Sequence, residues 1–553
     1  MNSSQLDESF TRPIPKDKPR VLIVENNETS RNMYRDLLIH WGYFPVVAQG
    51  TGQTLLKDAR QKAEQYRCHL ALVDMRLLDD VDDEDKSGLA LISQLRPAVS
   101  ILMSGYGNLA DSRRATEEGA AGFIGKSEGP RVFKEKLERE ACKLCAAKNG
   151  LVIEPVELMD NLRKNLLLHS AAYFDDQIAD CLLRLFPQAR YLRLEKIGTT
   201  HIASDLSAVP RPRSVILKVY EDDRQPVIVK LARQTKITHE LENFHQFIDG
   251  KLRGNYVPVL RGYVLGWDIG GIKLSYVGDI GQNFSNFFQS HSTHKIKRSL
   301  SNFFEETWQP HYRRAVEANN LSLFELYCRT WDKEWVERIK NFTDSHPEEI
   351  MGTELWAQVQ APEPIEWMKH NIFGQRDVSM TEHTKLAITH GDLHGDNILT
   401  DEDGNLWVID FERTGQGHIL QDFIELESDI INRLPCTPES FPAFLSICIT
   451  ACLPREIKNL ELTEEIGAQS ETKKAMSIIS HLRSLARSIT GIRDARQYLL
   501  GLLFNTLFRA TLSTSTSRKP CQQRAFMLAS ILCHRLDHWD DAWPPAHWLP
   551  FLQ

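Results

Sequence analysis

The stretch THGDLHGDNIL, residues 389–399, is followed by Asp410 in VIDFERTG. Residues 390–397 alone hold two His, two Asp and an Asn. The span NILTDEDGNLWVID, 397–410, has two strand-like apolar runs around an Asp-Gly turn. Folding it about Asp403 and Gly404 predicts that Asn397 lies opposite Asp410. An amide oxygen and a carboxylate at the open end of one hairpin suit a hard divalent cation. Asp392 is close enough in chain to face the same place, as a proton acceptor for a hydroxyl. His390 and His394 are spaced for zinc only on a helix, which Gly391 and Gly395 oppose, and no third soft ligand is near.

The Asp-x-x-x-x-Asn spacing followed by Asp-Phe after a strand matches the catalytic and metal loops of protein kinases. More closely, HGDLHGDNIL with IDF resembles aminoglycoside and choline phosphotransferases, which share the kinase-like fold. With the continuation GHILQDFIELESDI, the resemblance covers about 190–515. It implies a bilobal α+β domain, with an N-lobe at 189–280 and a mostly helical C-lobe at 281–553. It also implies ATP and Mg2+ as cofactors, Asn397 and Asp410 as metal ligands, and Asp392 as the catalytic residue.

Such a domain needs a Lys on an upstream strand and a Glu on the next helix. Lys230 ends PVIVK. In the following helix Ile237, Phe244, Phe247 and Ile248 mark a buried stripe that includes Glu240, so Glu240 rather than Glu242 is the expected partner. SVILKVYEDDRQPVIVKLA predicts a hairpin in which Lys218 is exposed. The phosphate-covering loop, IGTTHIASDLSA, offers only Gly198, with Thr199, Thr200 and Ser204 as hydroxyl donors. The base is expected near LSYVGD, 274–279.

Upstream, residues 20–140 alternate apolar runs (RVLIV, FPVVA, LALVD, SILMS, AAGFIG) with helical segments, which predicts a doubly wound parallel five-stranded sheet. Chemistry in such sheets collects at the carboxyl ends of the strands, here Glu25, Asn26, Asp74, Ser104 and Lys126. This set resembles the receiver domain of response regulators over 19–140. The resemblance implies Asp74 as phosphoacceptor, Ser104 and Lys126 as phosphoryl contacts, Phe123 as the aromatic switch and Glu25 as a metal ligand. Family members carry two acids where this chain has Glu25 and Asn26, which weakens the divalent site. The acidic loop MRLLDDVDDEDKSG either supplies a ligand or repels phosphate. A sensor histidine kinase or small phosphodonor is the implied partner, and the hydroxyl acceptor of the second domain is unknown.

Between them, 141–188 reads as a helical linker, and 1–18 as a disordered tail without a signal-peptide pattern. Ten Cys irregularly spaced over 553 residues do not form a secreted disulfide framework. Cys142 and Cys145 lack a second pair for zinc, and Cys448 and Cys452 read as core. A net charge of −8 gives no footprint for nucleic acid. No apolar run approaches the roughly 18 residues of a membrane span, so the expected setting is cytoplasmic. The C-terminal helices read as completion of the larger lobe, with Trp539, Trp543 and Trp548 docking a tail. The competing function is a nucleotide-binding pseudokinase scaffold, supported by the glycine-poor loop and the incomplete acid pair.

Overall fold

The computed structural model describes residues 17–552 except 80–81, 83, 106–108, 167–175, 198–213, 223, 253–257, 276–279, 319–320, 332–333, 343–358, 374–383, 435–440, 454, 459, 461–469 and 512–518. The chain forms two compact units, one of residues 1–196, 210–238 and 260–275, the other of 197–209, 239–259 and 276–553.

The first unit opens with β1 (Arg20–Val24), β2 (Phe44–Val47), β3 (Leu70–Asp74), β4 (Val99–Ser104) and β5 (Gly122–Gly125). Their order is β2-β1-β3-β4-β5, and all pairings are parallel. β1 and β3 are buried at every residue, as central strands covered by helices on both faces must be. The helix Pro130–Leu144 completes this layer by burying Phe133, Leu137 and Ala141.

The same unit holds a second sheet: β6 (Val152–Glu154), β7 (Tyr191–Lys196), β8 (Val215–Glu221), β9 (Val227–Arg233), β10 (Val259–Leu265) and β11 (Ile269–Ser275). Their order is β10-β11-β9-β8-β7-β6. The expected hairpin is β8–β9, with Lys218 half-buried over Tyr220 rather than exposed. The span read as a helical linker also contributes β6, which pairs in parallel with β7. Its helices Val156–Leu166 and Gln177–Leu185 line the core of this sheet with Met159, Leu162, Ile178 and Leu182.

A polar seam joins the two sheets of this unit. Arg20 pairs with Asp176 at 2.9 Å, His69 Nε2 meets Asp180 Oδ2 at 2.9 Å, and Arg67 grips Asp268 through two bonds of 2.8 Å. Trp267 Nε1 donates to the Cys68 carbonyl at 2.9 Å.

The second unit contains two three-stranded sheets, β12-β15-β16 (Ile280–Asn283, Ile398–Asp401, Leu406–Val408) and β13-β14-β17 (Val316–Glu317, Lys385–Thr389, Gly415–His418). Around them stand the helices Gln421–Asn432, Phe441–Cys452, Ser470–Thr490, Ala495–Ala510 and Lys519–Asp537. Every residue of the Gln421–Asn432 helix is buried, its acids included. One of these, Glu427, is held by Arg483 and by the Tyr498 hydroxyl, a closed buried ion pair. Cys448 and Cys452 are core residues, and Trp548 is fully buried with Nε1 donating to Val359 O at 2.7 Å, as a docked tail requires.

Candidate functional site

At the carboxyl ends of the parallel strands, Lys126 Nζ lies 2.9 Å from Glu25 Oε2 and 3.0 Å from Asp74 Oδ1. The other Glu25 oxygen accepts Asn27 N–H at 3.1 Å, so both Glu25 oxygens are engaged. Metal ligation by Glu25 therefore requires Lys126 to release it. Ser104 is buried at the end of the neighbouring strand, and Phe123 packs half-buried against the same core. The acidic loop folds on itself: Asp85 accepts the N–H groups of Leu78, Asp79 and Ser87, each at 2.9 Å. Gly88 is obligatory, because a Cβ there would stand 2.0 Å from the Asp74 carbonyl oxygen.

Burial, with Glu25 beside it, pushes the Asp74 carboxyl up to about 6 against the pull of Lys126. A folded-state value above the unfolded one means that the folded chain holds this proton more tightly. The stabilisation is present below about pH 4 and lost as pH rises through about 6. Asp74→Asn is therefore expected to be more stable than the parent by about 1–3 kcal/mol at pH 7.5. The gap should close near pH 4. Urea midpoints at the two pH values check this.

In the second unit, the hairpin β15–β16 pairs Ile398 with Val408, Leu399 with Trp407 and Thr400 with Leu406. This is one residue away from the expected register. The loop has three residues rather than two: Asp401 Oδ1 accepts Asn405 N–H at 2.8 Å, and Gly404 takes φ +90°. Asn397 consequently stands opposite Ile409, whose N–H donates to the Asn397 carbonyl at 3.0 Å. Asp410 is the next residue, with φ 72°, a left-handed conformation uncommon outside glycine and found at constrained sites.

The Asn397 side chain donates from Nδ2 to the Asp392 carbonyl at 2.9 Å. Its amide orientation is thereby fixed, leaving the oxygen as the end available to a cation. Asn397 and Asp410 thus offer the hard oxygen donors that Mg2+ takes. Glu240 is buried and accepts Phe411 N–H at 3.3 Å, while Glu242 is two-thirds exposed. Asn243, on the same helix, donates to the carbonyls of Phe411 and Glu412 at 3.0 and 2.8 Å. Glu240 therefore supports the residue that follows Asp410. Lys230 is buried on β9 of the first unit. Gly198, with the rest of the phosphate-covering loop, and 276–279 of the base segment lie outside the described residues.

The two aspartates of HGDLHGD differ sharply. Asp396 Oδ1 accepts from Asn283, Ser285 and Arg433 at 3.0, 3.1 and 3.3 Å. The Asp392 carboxylate accepts no hydrogen bond among the described residues. Its neighbours are Arg413 at 3.6 Å and Arg509 and His394 at 3.9 Å. Burial works to raise its pKa, but Arg413, His394 and Arg509 outweigh it and hold the carboxyl below its ordinary value. Asp392 is thus ionised and uncommitted.

The loop that carries it is held by residues the sequence reading missed. Asp422 accepts the N–H groups of His390 and Gly391, each at 3.1 Å. Glu425 accepts Leu393 N–H at 2.6 Å, and Asp429 accepts Gly395 N–H at 2.8 Å. All three project from the buried Gln421–Asn432 helix, and the signal was visible as acids three and four residues apart in QDFIELESD. Burial, with Asp392 and Asp422 adjacent, lifts Glu425 to about 7, whereas Asp429 is held well below the carboxylate range by Arg433 against its burial. Gly391 takes φ +78°, and a Cβ there would lie 2.5 Å from the Arg413 carbonyl oxygen.

Among the described residues, His390 and His394 belong to no group of three His, Cys, Asp or Glu side chains that could hold a metal. His390 Nε2 donates to Ile409 O at 3.0 Å, a brace rather than a ligand. In the first unit His69, Cys145 and Asp180 cluster, yet Arg20 N–H donates to His69 Nδ1. The His69 proton therefore sits on Nε2, where a metal would have to bind.

Residues 348–507 match the model of a family described as Ternary complex associated domain 9. No curated protein matches the chain. Among solved structures, a CheY-like response regulator receiver domain protein from Methanospirillum hungatei JF-1 is 26% identical, covering 22% of this chain and 94% of that one, with a TM-score of 0.19. The BeF3-activated N-terminal receiver domain of Klebsiella pneumoniae RstA is 18% identical over 22% and 97% of the chains, with a TM-score of 0.19. A response regulator from Thermotoga maritima is 17% identical over 22% and 98%, at the same score. By strand order, and by the meeting of Glu25, Asp74 and Lys126 at the carboxyl ends of its strands, the N-terminal part of the chain has the doubly wound five-stranded fold that the receiver resemblance implies.

Proposed function

We propose that this chain is a signalling phosphotransferase that moves the ATP γ-phosphoryl group to a hydroxyl and is regulated by its receiver through Asp74. The observation that carries the reading is the uncommitted Asp392 carboxylate. It stands on a loop fastened by three buried acids, with Asn397 tied to the Asp392 carbonyl and Asp410 beginning the next turn. Within the sheet β10-β11-β9-β8-β7-β6, the five strands β7–β11 with the helix Gln234–Asn243 between β9 and β10 agree with the smaller lobe that the resemblance implies, which supports the same reading.

In the proposed reaction Asp392 orients the acceptor hydroxyl and takes its proton. The hydroxyl oxygen bonds to the γ-phosphorus, the bond to the β–γ bridging oxygen breaks, and ADP leaves with that electron pair. Asn397 and Asp410 would hold Mg2+, which when bound neutralises phosphate charge. Glu240 keeps the backbone after Asp410 in place, and Lys230 is assigned to the α and β phosphates. Position and charge supply most of the acceleration in such a transfer.

The polar seam between the receiver sheet and β6–β11 supports regulation, since an added charge at Asp74 alters a body already bonded to the second sheet. The test is incubation of the full chain with labelled ATP and Mg2+, alone and with cell extract, with and without a small phosphodonor. Label transfer that changes at least about threefold with phosphodonor, and not in Asp74→Ala, is the expected result. Absence of Mg·ATP binding ends the transferase and the scaffold readings together, whereas binding without transfer to any acceptor favours the scaffold.

A further inference from the structure

The pair of guanidinium groups beside Asp392 takes no part in the proton and phosphoryl steps proposed above. Arg413 Nη1 and Arg509 Nη2 approach the same oxygen, Asp392 Oδ1, at 3.6 and 3.9 Å. Both distances exceed the roughly 2.7–2.9 Å of a closed guanidinium–carboxylate bond. Other groups orient the two side chains. Arg509 Nε donates to Asn505 Oδ1 at 3.0 Å, and the Arg413 guanidinium lies 5.4 Å over the Phe508 ring.

Both groups also remain open. The Arg413 and Arg509 side chains are 32% and 17% exposed, and that of Asp392 is 28% exposed. The other acids that Arg413 feels are Glu425, Glu412 and Asp410. Glu425 is fully buried and takes hydrogen bonds from Leu393 N–H, Gln421 and Trp331, so it does not reach this opening. Asp410 belongs to the cation in the proposed reaction. Two forked donors thus flank the base, and all three side chains are partly exposed to solvent.

We propose that the acceptor is an anionic alcohol, a hydroxyl compound that also bears a phosphate or carboxylate group, and that Arg413 and Arg509 bind that group while Asp392 receives the hydroxyl proton. The inference rests on the phosphotransferase reading of the same site. Guanidinium forks match carboxylate and phosphate oxygens two at a time, which fixes the hydroxyl relative to Asp392 as well as binding the molecule. A cationic alcohol would meet two like charges at the same place.

The first measurement needs no turnover: calorimetric titration of the full chain with inorganic phosphate. The dissociation constant should rise at least about fivefold in Arg413→Gln and in Arg509→Gln, and less in Arg413→Lys, which keeps charge but not the fork. It should stay at the parent value in Arg455→Gln, at an exposed arginine elsewhere. Equal constants in the parent and both glutamine variants overturn the inference. The second measurement is ADP release from Mg·ATP with glycerol 3-phosphate, glycerate, glycerol and choline as acceptors. Preference for either anionic compound supports the inference, its phosphate or carboxylate form being read from which one is used. Preference for choline or glycerol overturns it while leaving the transferase reading intact. A parent chain that binds no Mg·ATP removes both.

Discussion

Asp392→Asn is expected to lower phosphoryl transfer by at least about 100-fold while changing Mg·ATP affinity less than about threefold. Asparagine keeps the shape and can still face the acceptor, but it takes no proton at neutral pH. Two other acids at the loop are committed elsewhere. Asp396 is held by three donors, and Glu425 is sealed beneath the loop. Single-turnover transfer and calorimetric nucleotide titration, run on the same preparation, separate the two quantities. A variant that transfers at the parent rate, or one that loses the nucleotide along with the rate, contradicts the assignment of Asp392 as proton acceptor. The adjoining cations make this a demanding test, because replacing the carboxylate removes the negative charge that Arg413 and Arg509 both approach.

Asp422→Ala is expected to be the more damaging substitution for the fold. Its two oxygens accept His390 N–H, Gly391 N–H and the Tyr312 hydroxyl, the last at 2.9 Å, and the residue is 1% exposed. Alanine leaves three buried donors without an acceptor. At about 1–3 kcal/mol for each, the loss is several kcal/mol, large against the stability of an ordinary domain. Asp422→Asn keeps one acceptor oxygen and should fall between. Thermal unfolding followed by tryptophan fluorescence ranks the three chains, and hydrogen exchange at residues 390–395 reports whether the loop itself loosens. An alanine variant as stable as the parent would mean that these bonds contribute nothing net.

The parallel sheet was legible because its strands are buried on both faces and therefore read as unbroken apolar runs. RVLIV and LALVD could hardly be anything else. Glu25, Asp74, Ser104 and Lys126 followed from the rule that such strands carry chemistry at their carboxyl ends. Likewise Glu240 was separable from Glu242 because helical spacing put one on the buried stripe.

Two features escaped for identifiable reasons. The hairpin register slipped because Asp-Gly suggested a two-residue turn, whereas Asp401 captures Asn405 and closes a three-residue loop. Local turn chemistry decided the pairing, and Asp401 looked like one acid among several. The acids of the Gln421–Asn432 helix escaped because charged residues on a helix ordinarily face water. Here they face backbone N–H groups some thirty residues upstream, a long-range match that no local pattern encodes. Arg509 is more distant still, reaching Asp392 from more than a hundred residues downstream.

The short strand Val152–Glu154 bears on how the protein can be dissected. It and the helices that follow fill one side of the second sheet, so cutting the chain at residue 188, the end of the span read as a linker, strips that sheet of its rim and of Met159, Leu162, Ile178 and Leu182. The parallel sheet and the downstream sheet are therefore not beads on a string. A chimaera that exchanges the parallel sheet for another must be spliced upstream of Ala146, or the second sheet is left with aliphatic side chains open to water.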